Sequence, residues 1–316
     1  MGEAATTQAA TTGAVTGLTC AGRPLDTSLE AFGWLRDSTD AAGDPARLRA
    51  RLEQDGYLYL RGLLPRELVA AARRRVCEVL SEEGLLDPAR PVEDAVAVPG
   101  LDVKFRPDIA NGPAREQVWR LLYGPEMMAL FDDLLGAPAR HYDFTWLRAV
   151  APGQGTWPHC DIVFMGRGTP HLLTAWVPLG DVPLDVGGLV LAEGSHRDEQ
   201  LRSAYGSLDY DTACSTDPAR NELEAAGYLR SGPISADLPL LSRRMRARLL
   251  TSRFFAMGDL LVFNPFVVHG SLDNRSALIR LSTDSRYQRA DEPADERWVG
   301  AQPPGHGGAS VRDAIC

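Results

Sequence analysis

Trp157-Pro158-His159-Cys160-Asp161 sets an imidazole and a carboxylate two positions apart. On an extended segment side chains i and i+2 share a face, so both could reach one ion. With six His in the chain an H-x-D tripeptide arises easily by chance, and the pair needs a third donor to mean anything. His171, His196 and His269 are the candidates. His269 ends the segment Gly258-Asp259-Leu260-Leu261-Val262-Phe263-Asn264-Pro265-Phe266-Val267-Val268-His269, an apolar setting that is costly for an idle polar group. Two imidazoles and one carboxylate leave adjacent octahedral positions open, the facial arrangement of non-haem Fe(II) oxygenases rather than of a closed zinc site. The plainer alternative is that each His is a hydrogen-bonded core residue.

Further along, Arg280 stands in Leu278-Ile279-Arg280-Leu281-Ser282, an apolar strand where a guanidinium needs an anionic partner. A dicarboxylate cosubstrate would supply one: Arg280 offers a planar fork, and Ser282 on the same strand face could add a hydroxyl. An internal salt bridge to Asp or Glu is the competing reading.

These side chains need a scaffold. After His141 the chain shows short apolar runs punctuated by Gly and Pro, at Phe144-Val150, Leu172-Leu179, Gly188-Ala192, Asp259-Phe263 and Ala277-Thr283, which predict the strands of one β unit. Ahead of them, Leu48, Leu52, Leu68, Ala72, Val76 and Leu80 fall at helical spacing, with a short strand at Tyr57-Leu60 and Pro65 placed for the first turn of the second helix. Further helices are expected at Arg115-Leu122 and Glu126-Leu135, the latter stopped by Gly136. Residues 1–27, rich in Ala, Thr and Gly, read as a disordered tail. Residues 28–290 read as a single catalytic domain and 291–316 as a C-terminal tail. Within the domain, the polar, Arg-rich stretch of about 197–252 reads as a lid insertion carrying Tyr205, Tyr210, Tyr228, Arg243, Arg244 and Arg246. Its Arg run could meet an anionic substrate group or form a solvated helix face.

Composition bounds the partners. Of 316 residues 44% are hydrophobic and 24% charged, which excludes a mostly disordered chain. The net charge of -9 withholds the positive field that non-specific nucleic-acid binding relies on, so no nucleic-acid partner is expected. Five scattered Cys without a C-x-x-C pair indicate neither a disulfide framework nor a thiolate zinc site. No apolar run approaches the ~18 residues of a membrane span, and a cytoplasmic protein acting on a small molecule is expected. Oligomeric state cannot be read from these features.

Taken in order, His159-x-Asp161, Gly187-Gly188-Leu189 running into Glu193-Gly194-Ser195-His196, Gly258-Asp259 with Phe263, and His269-Gly270-Ser271-x-x-Asn274-Arg275-Ser276 with Arg280 resemble the phytanoyl-CoA dioxygenase family. The resemblance covers about residues 140–288, with the Gly56-Tyr57 strand and Pro65 helix similar to the family's N-terminal segment. It implies a mainly β fold with surrounding helices, built on a double-stranded β-helix (jelly-roll, cupin-like) core. It also implies Fe(II) as cofactor, with 2-oxoglutarate and dioxygen as cosubstrates. On this resemblance His159, Asp161 and His269 are the iron ligands and catalytic centre, and Arg280 pairs with the distal carboxylate of 2-oxoglutarate. Ser271 and Trp176 would line the cosubstrate, as would Lys104, the only lysine in the chain.

The sequence departs from the family pattern at Glu193, where Pro is usual, and His196 is expected only to brace that turn. His171 likewise reads as structural. Asp161 fills the position that related halogenases leave to a small residue, which favours oxygen insertion. The implied function is a dioxygenase that oxidises, most simply hydroxylates, a C–H bond of a specialised-metabolite intermediate. A non-catalytic cupin-like metal or small-molecule binding protein is the alternative. A zinc hydrolase fits less well because no general base lies near the H-x-D in sequence.

Overall fold

Short apolar runs separated by turn residues lay down two facing sheets, and helices cover the outer side of the larger one. The computed structural model describes residues 15–211 and 234–306. Asp44 caps helix α1 (Pro45–Asp55), its carboxylate accepting from the Arg47 N–H at 3.1 Å, and Pro45 occupies the first position, where no N–H is needed. Gly56 ends the helix at φ 78°, and a side chain there would also strike the His196 ring. Helix α2 (Arg66–Glu82), the short α3 (Pro107–Ala110), α4 (Arg115–Leu122) and α5 (Pro125–Leu135) complete the outer layer. The short α6 (Ile162–Met165) and α7 (Glu199–Ser203), with α8 (Leu238–Met245), belong to the loops on the other side.

The strands in chain order are β1 (Thr19–Cys20), β2 (Arg23–Pro24), β3 (Phe32–Trp34), β4 (Tyr57–Leu60), β5 (Ala139–His141), β6 (Trp146–Val150) and β7 (Leu173–Pro178). They continue with β8 (Val182–Pro183), β9 (Leu189–Ala192), β10 (Leu249–Thr251), β11 (Phe254–Phe255), β12 (Leu260–Phe263), β13 (His269–Ser271) and β14 (Arg280–Arg289). The larger sheet runs β4-β12-β7-β14-β5, with β6 also paired to β14; the smaller runs β13-β9-β10-β3. Within these two sheets only the β10–β3 pairing is parallel. This is the jelly-roll arrangement that the family resemblance implies.

On the outer face Leu147, Ala149, Ala175, Val177, Val262 and Leu281 pack against Val69, Val76, Leu80, Val118, Leu122 and Phe131. The rings of Phe131 and Tyr287 stack with centroids 3.6 Å apart. Alternation then sends Arg280, Ser282, Asp284, Arg286 and Gln288 of β14 to the inner face, where all five are buried. A continuous polar stripe inside a barrel requires partners, and those partners define the site.

Four expectations need correction. Strand β14 runs to Arg289 and not to Thr283: Thr-Asp-Ser-Arg-Tyr-Gln-Arg is polar by composition yet buried, because its inner side chains are paired. The N-terminal tail does not extend to residue 27. Hairpin β1–β2 buries Leu18 and Cys20, and the Asp273 carboxylate accepts from the Ala21 and Gly22 N–H groups at 2.8 and 2.9 Å. A few apolar residues suffice when the turn finds such an anchor. Residues 291–306 are no tail either, since Trp298 and His306 are buried and Arg297 pairs with Asp295 and Asp211. The insertion ends before β10, which is a strand of the smaller sheet. Its segment 212–233, with Tyr228, and the remaining residues of both expected tails lie outside the described residues.

Candidate metal centre

His159 and His269 are brought opposite each other by a two-way backbone bridge. Each N–H donates to the other's carbonyl, at 2.9 and 3.0 Å. Their rings sit 4.3 Å apart, tilted by 50°. Asp161 is not extended as the i, i+2 argument supposed; it lies in the right-handed helical region at the start of α6. That turn still carries its carboxylate to the two rings. Asp161 Oδ1 lies 3.7 Å from His159 Nε2 and 3.8 Å from His269 Nε2, and one donor atom from each of the three residues falls within 4.8 Å of the others.

The other ring nitrogens are committed. His159 Nδ1 faces the Trp157 carbonyl at 2.8 Å and His269 Nδ1 the Val267 carbonyl at 3.0 Å. Donation to those carbonyls places the hydrogen on Nδ1 and leaves each Nε2 lone pair aimed at the shared point, the usual tautomer control of a metal-binding His. Burial lowers the pKa of both imidazoles, and for His159 the neighbouring His269 lowers it further, so both are neutral donors. Burial alone would raise the Asp161 pKa, but Arg286, followed by the two His and the Thr174 hydroxyl, holds it below the usual carboxylate range. Neutral imidazoles beside an ionised carboxylate, all buried, make a donor set for a divalent cation.

On the inner face of β14, Arg280 is buried, and among the described residues its one hydrogen bond runs from Nη1 to the Gly187 carbonyl at 2.7 Å. Gly187 has φ 86°, and a side chain there would run into the Leu272 carbonyl, which accounts for the glycine next to the guanidinium. Among the described residues the Nε and Nη2 of Arg280, the hydroxyl of Ser282 and the indole N–H of Trp176 have no partner. Burial pushes the Arg280 guanidinium down to about 9; Arg148 adds to the fall and Asp284 opposes it. A buried fork with two unsatisfied donors fits a carboxylate, and it lies on the strand whose inner face leads to Asp161.

The other predicted residues divide. Ser271 is buried, but its hydroxyl accepts from the Thr156 N–H at 2.8 Å and fixes the loop before His159. Lys104 is half-buried; its carbonyl accepts from Ala149 of β6, while its ammonium has no hydrogen bond or ion pair among the described residues. His196 braces the α1 terminus through the Glu53 carbonyl at 3.1 Å, and His171 pairs with Glu292 at 3.0 Å, both away from the centre. Arg243, Arg244 and Arg246 are exposed on and just after α8. Two residues escaped the sequence reading: Thr174 and Arg286, which both contact Asp161. Carrying the period of two from Arg280 and Ser282 two more steps, through Asp284, would have found Arg286.

The profile described as phytanoyl-CoA dioxygenase (PhyH) matches residues 52–282. The chain belongs to the phytanoyl-CoA dioxygenase family. A 1-deoxypentalenic acid 11-beta-hydroxylase of Streptomyces exfoliatus is 26% identical over 264 residues, covering 80% of this chain and 84% of the relative. Its Streptomyces arenae counterpart is 25% identical over 271 residues, 83% and 87% of the two chains. Among solved structures, the non-haem alpha-ketoglutarate-dependent carbocyclase SnoK from nogalamycin biosynthesis aligns with a TM-score of 0.55 at 20% identity, over 84% of this chain and 89% of its own. EctD from S. alaskensis aligns with a TM-score of 0.53 at 18% identity, over 92% and 90%. At such identities the structural likeness is one of fold. Family membership and the hydroxylase relatives make this chain an oxidoreductase of the Fe(II)- and 2-oxoglutarate-dependent dioxygenase kind, and the centre described above has the donors that chemistry needs.

Proposed function

We propose that the protein hydroxylates an unactivated C–H bond of a small, largely apolar specialised metabolite, with His159, Asp161 and His269 as the iron ligands. One observation carries the reading: three buried donors converge with both Nε2 atoms free, beside a buried guanidinium that has two unsatisfied donors. Iron with 2-oxoglutarate and dioxygen supplies the oxidising power when bound. The chain's own residues do the rest. Arg280 and Ser282 grip the far carboxylate of the cosubstrate, the Trp176 indole N–H borders it, and Ser271 holds the strand that carries His269. Lys104, on the segment paired with β6, is the remaining candidate for a second contact to that carboxylate, and Lys104→Met tests it by the 2-oxoglutarate requirement.

The substrate reading draws on the relatives that hydroxylate 1-deoxypentalenic acid and on the walls around the centre. Phe164, Trp146, Phe144 and Trp298 form a connected aromatic cluster on the His159 side. Such walls favour an apolar skeleton. We also assign the protein to the cytoplasm, as its sequence led us to expect; among the described residues no helix is long and apolar enough to cross a membrane. A binding-only barrel would have no use for an anion fork beside an open metal site, and 2-oxoglutarate turnover separates the two readings. Anaerobically loaded protein given oxygen should release succinate, and oxygen-18 should appear in the product once a substrate is found. Fully loaded protein that releases no succinate, even slowly and without substrate, would leave the binding reading standing.

A further inference from the structure

The inner face of β14 assigns each of its polar side chains a task. Arg280 and Ser282 face the cosubstrate region, Asp284 accepts from Arg148 Nε at 2.7 Å, and Gln288 donates to the carbonyls of Arg289, Glu292 and Pro293. Arg286 is left, and its partner is a metal ligand. Nη2 lies 3.0 Å from Asp161 Oδ2, and the Thr174 hydroxyl donates to the same oxygen at 2.5 Å. The cross-strand register that sets Arg286 opposite Thr174 on β7 brings both donors to one point.

The two carboxylate oxygens are therefore distinct. Oδ1 faces the two imidazoles, and Oδ2 is held from behind by a cation and a hydroxyl. Arg286 is itself fixed: it is buried, Nε lies 2.8 Å from the Met165 sulfur, and the guanidinium sits 4.6 Å from the Trp146 ring centroid. Among the described residues Asp161 is the one carboxylate within ion-pair distance of it. A buried guanidinium does not readily give up such a partner.

We propose that Arg286 and Thr174 form a clamp that restricts Asp161 to one-oxygen ligation and draws negative charge away from the iron. Both are positioning residues, acting through Asp161 and touching neither substrate nor cosubstrate. For Oδ2 to reach the metal it would have to leave two donors at once, so the second oxygen stays out of the coordination sphere. A cation behind the carboxylate also weakens it as an electron donor, since partners of a ligand set its basicity. This inference rests on the iron reading and adds to it how the anionic ligand is tuned.

The test is the position of the visible charge-transfer band of the anaerobic Fe(II)–2-oxoglutarate complex in wild type, Arg286→Gln, Arg286→Lys and Thr174→Val. Removing the cation makes the iron richer in electrons, so the band of Arg286→Gln should move to longer wavelength. Arg286→Lys keeps the charge and should return most of the shift, and Thr174→Val should show a smaller shift in the same direction. Residues that merely support packing would change how much 2-oxoglutarate is needed to saturate the band, not where it lies. A wild-type band with variant bands at the same wavelength overturns the clamp alone. No band in folded wild type overturns the iron reading and the clamp with it. Should Arg286→Gln fail to fold, Thr174→Val decides: a band at the wild-type position overturns the clamp, and a shift to longer wavelength supports it.

Discussion

Replacing Arg280 by Met separates a residue kept for a ligand from one kept for the fold. Met nearly matches the length of the side chain and removes its charge. In the structure the guanidinium is buried with one hydrogen bond, to the Gly187 carbonyl, and no carboxylate within ion-pair distance among the described residues. Its fall from 12.5 to about 9 corresponds to roughly 5 kcal/mol of cost in holding the charge at neutral pH, at about 1.4 kcal/mol per unit. The lost hydrogen bond offsets about 1 kcal/mol of that gain. Arg280→Met should therefore leave the protein free of cosubstrate as stable as wild type or more so, with a melting temperature that holds or rises. Its affinity for 2-oxoglutarate should fall by about 100-fold or more, as when one partner of a buried charge pair is removed. Thermal melts with Ni(II) in place of iron, with and without 2-oxoglutarate, read both quantities on one sample. Wild type should gain stability from 2-oxoglutarate and the variant should gain little. A variant that melts well below wild type and is stabilised by 2-oxoglutarate equally would make Arg280 structural and refute the reasoning.

The other outcomes follow from the same contacts. His269→Ala should abolish succinate formation and metal retention, measured by metal analysis after desalting, with the circular dichroism spectrum kept. Ser195→Ala removes the hydroxyl that accepts from the Val268 N–H at 2.9 Å and donates to the Ala192 carbonyl at 2.7 Å; chemical denaturation should show a loss of about 1–3 kcal/mol. The buried thiols of Cys20, Cys77 and Cys160 are raised by burial, and peptide mapping after thiol labelling should find them unmodified in the native protein and modified in denaturant.

Much of this was legible in the chain because the informative residues are chemically out of place. His269 closes an apolar run and Arg280 interrupts another; the first is one of the three converging donors, and the second is a buried guanidinium on the inner face of β14. The Gly187-Gly188 pair, quoted for the family resemblance, owes its first glycine to a positive φ, and the Gly187 carbonyl accepts from the Arg280 guanidinium. What stayed hidden was pairing across long separations. Arg286 and Asp161 are far apart in sequence, and nothing in either neighbourhood indicates the other, so the expected strand stopped at Thr283. The N-terminal hairpin escaped for the same reason: its anchor is Asp273, near the opposite end of the chain. Asp161 shows the reverse case, since its carboxylate meets the two imidazoles although the extended backbone supposed to bring it there is a helical turn.

The most direct measurement is an anaerobic titration of metal-free protein with Fe(II) in the presence of 2-oxoglutarate, followed by visible absorption. The charge-transfer band should grow to saturation at one iron per chain, and it should be missing from His159→Ala, Asp161→Ala and His269→Ala proteins that remain folded. A folded wild-type protein that gives no band, or a His269→Ala protein that gives the wild-type band, would contradict the assignment of these three side chains as the iron centre.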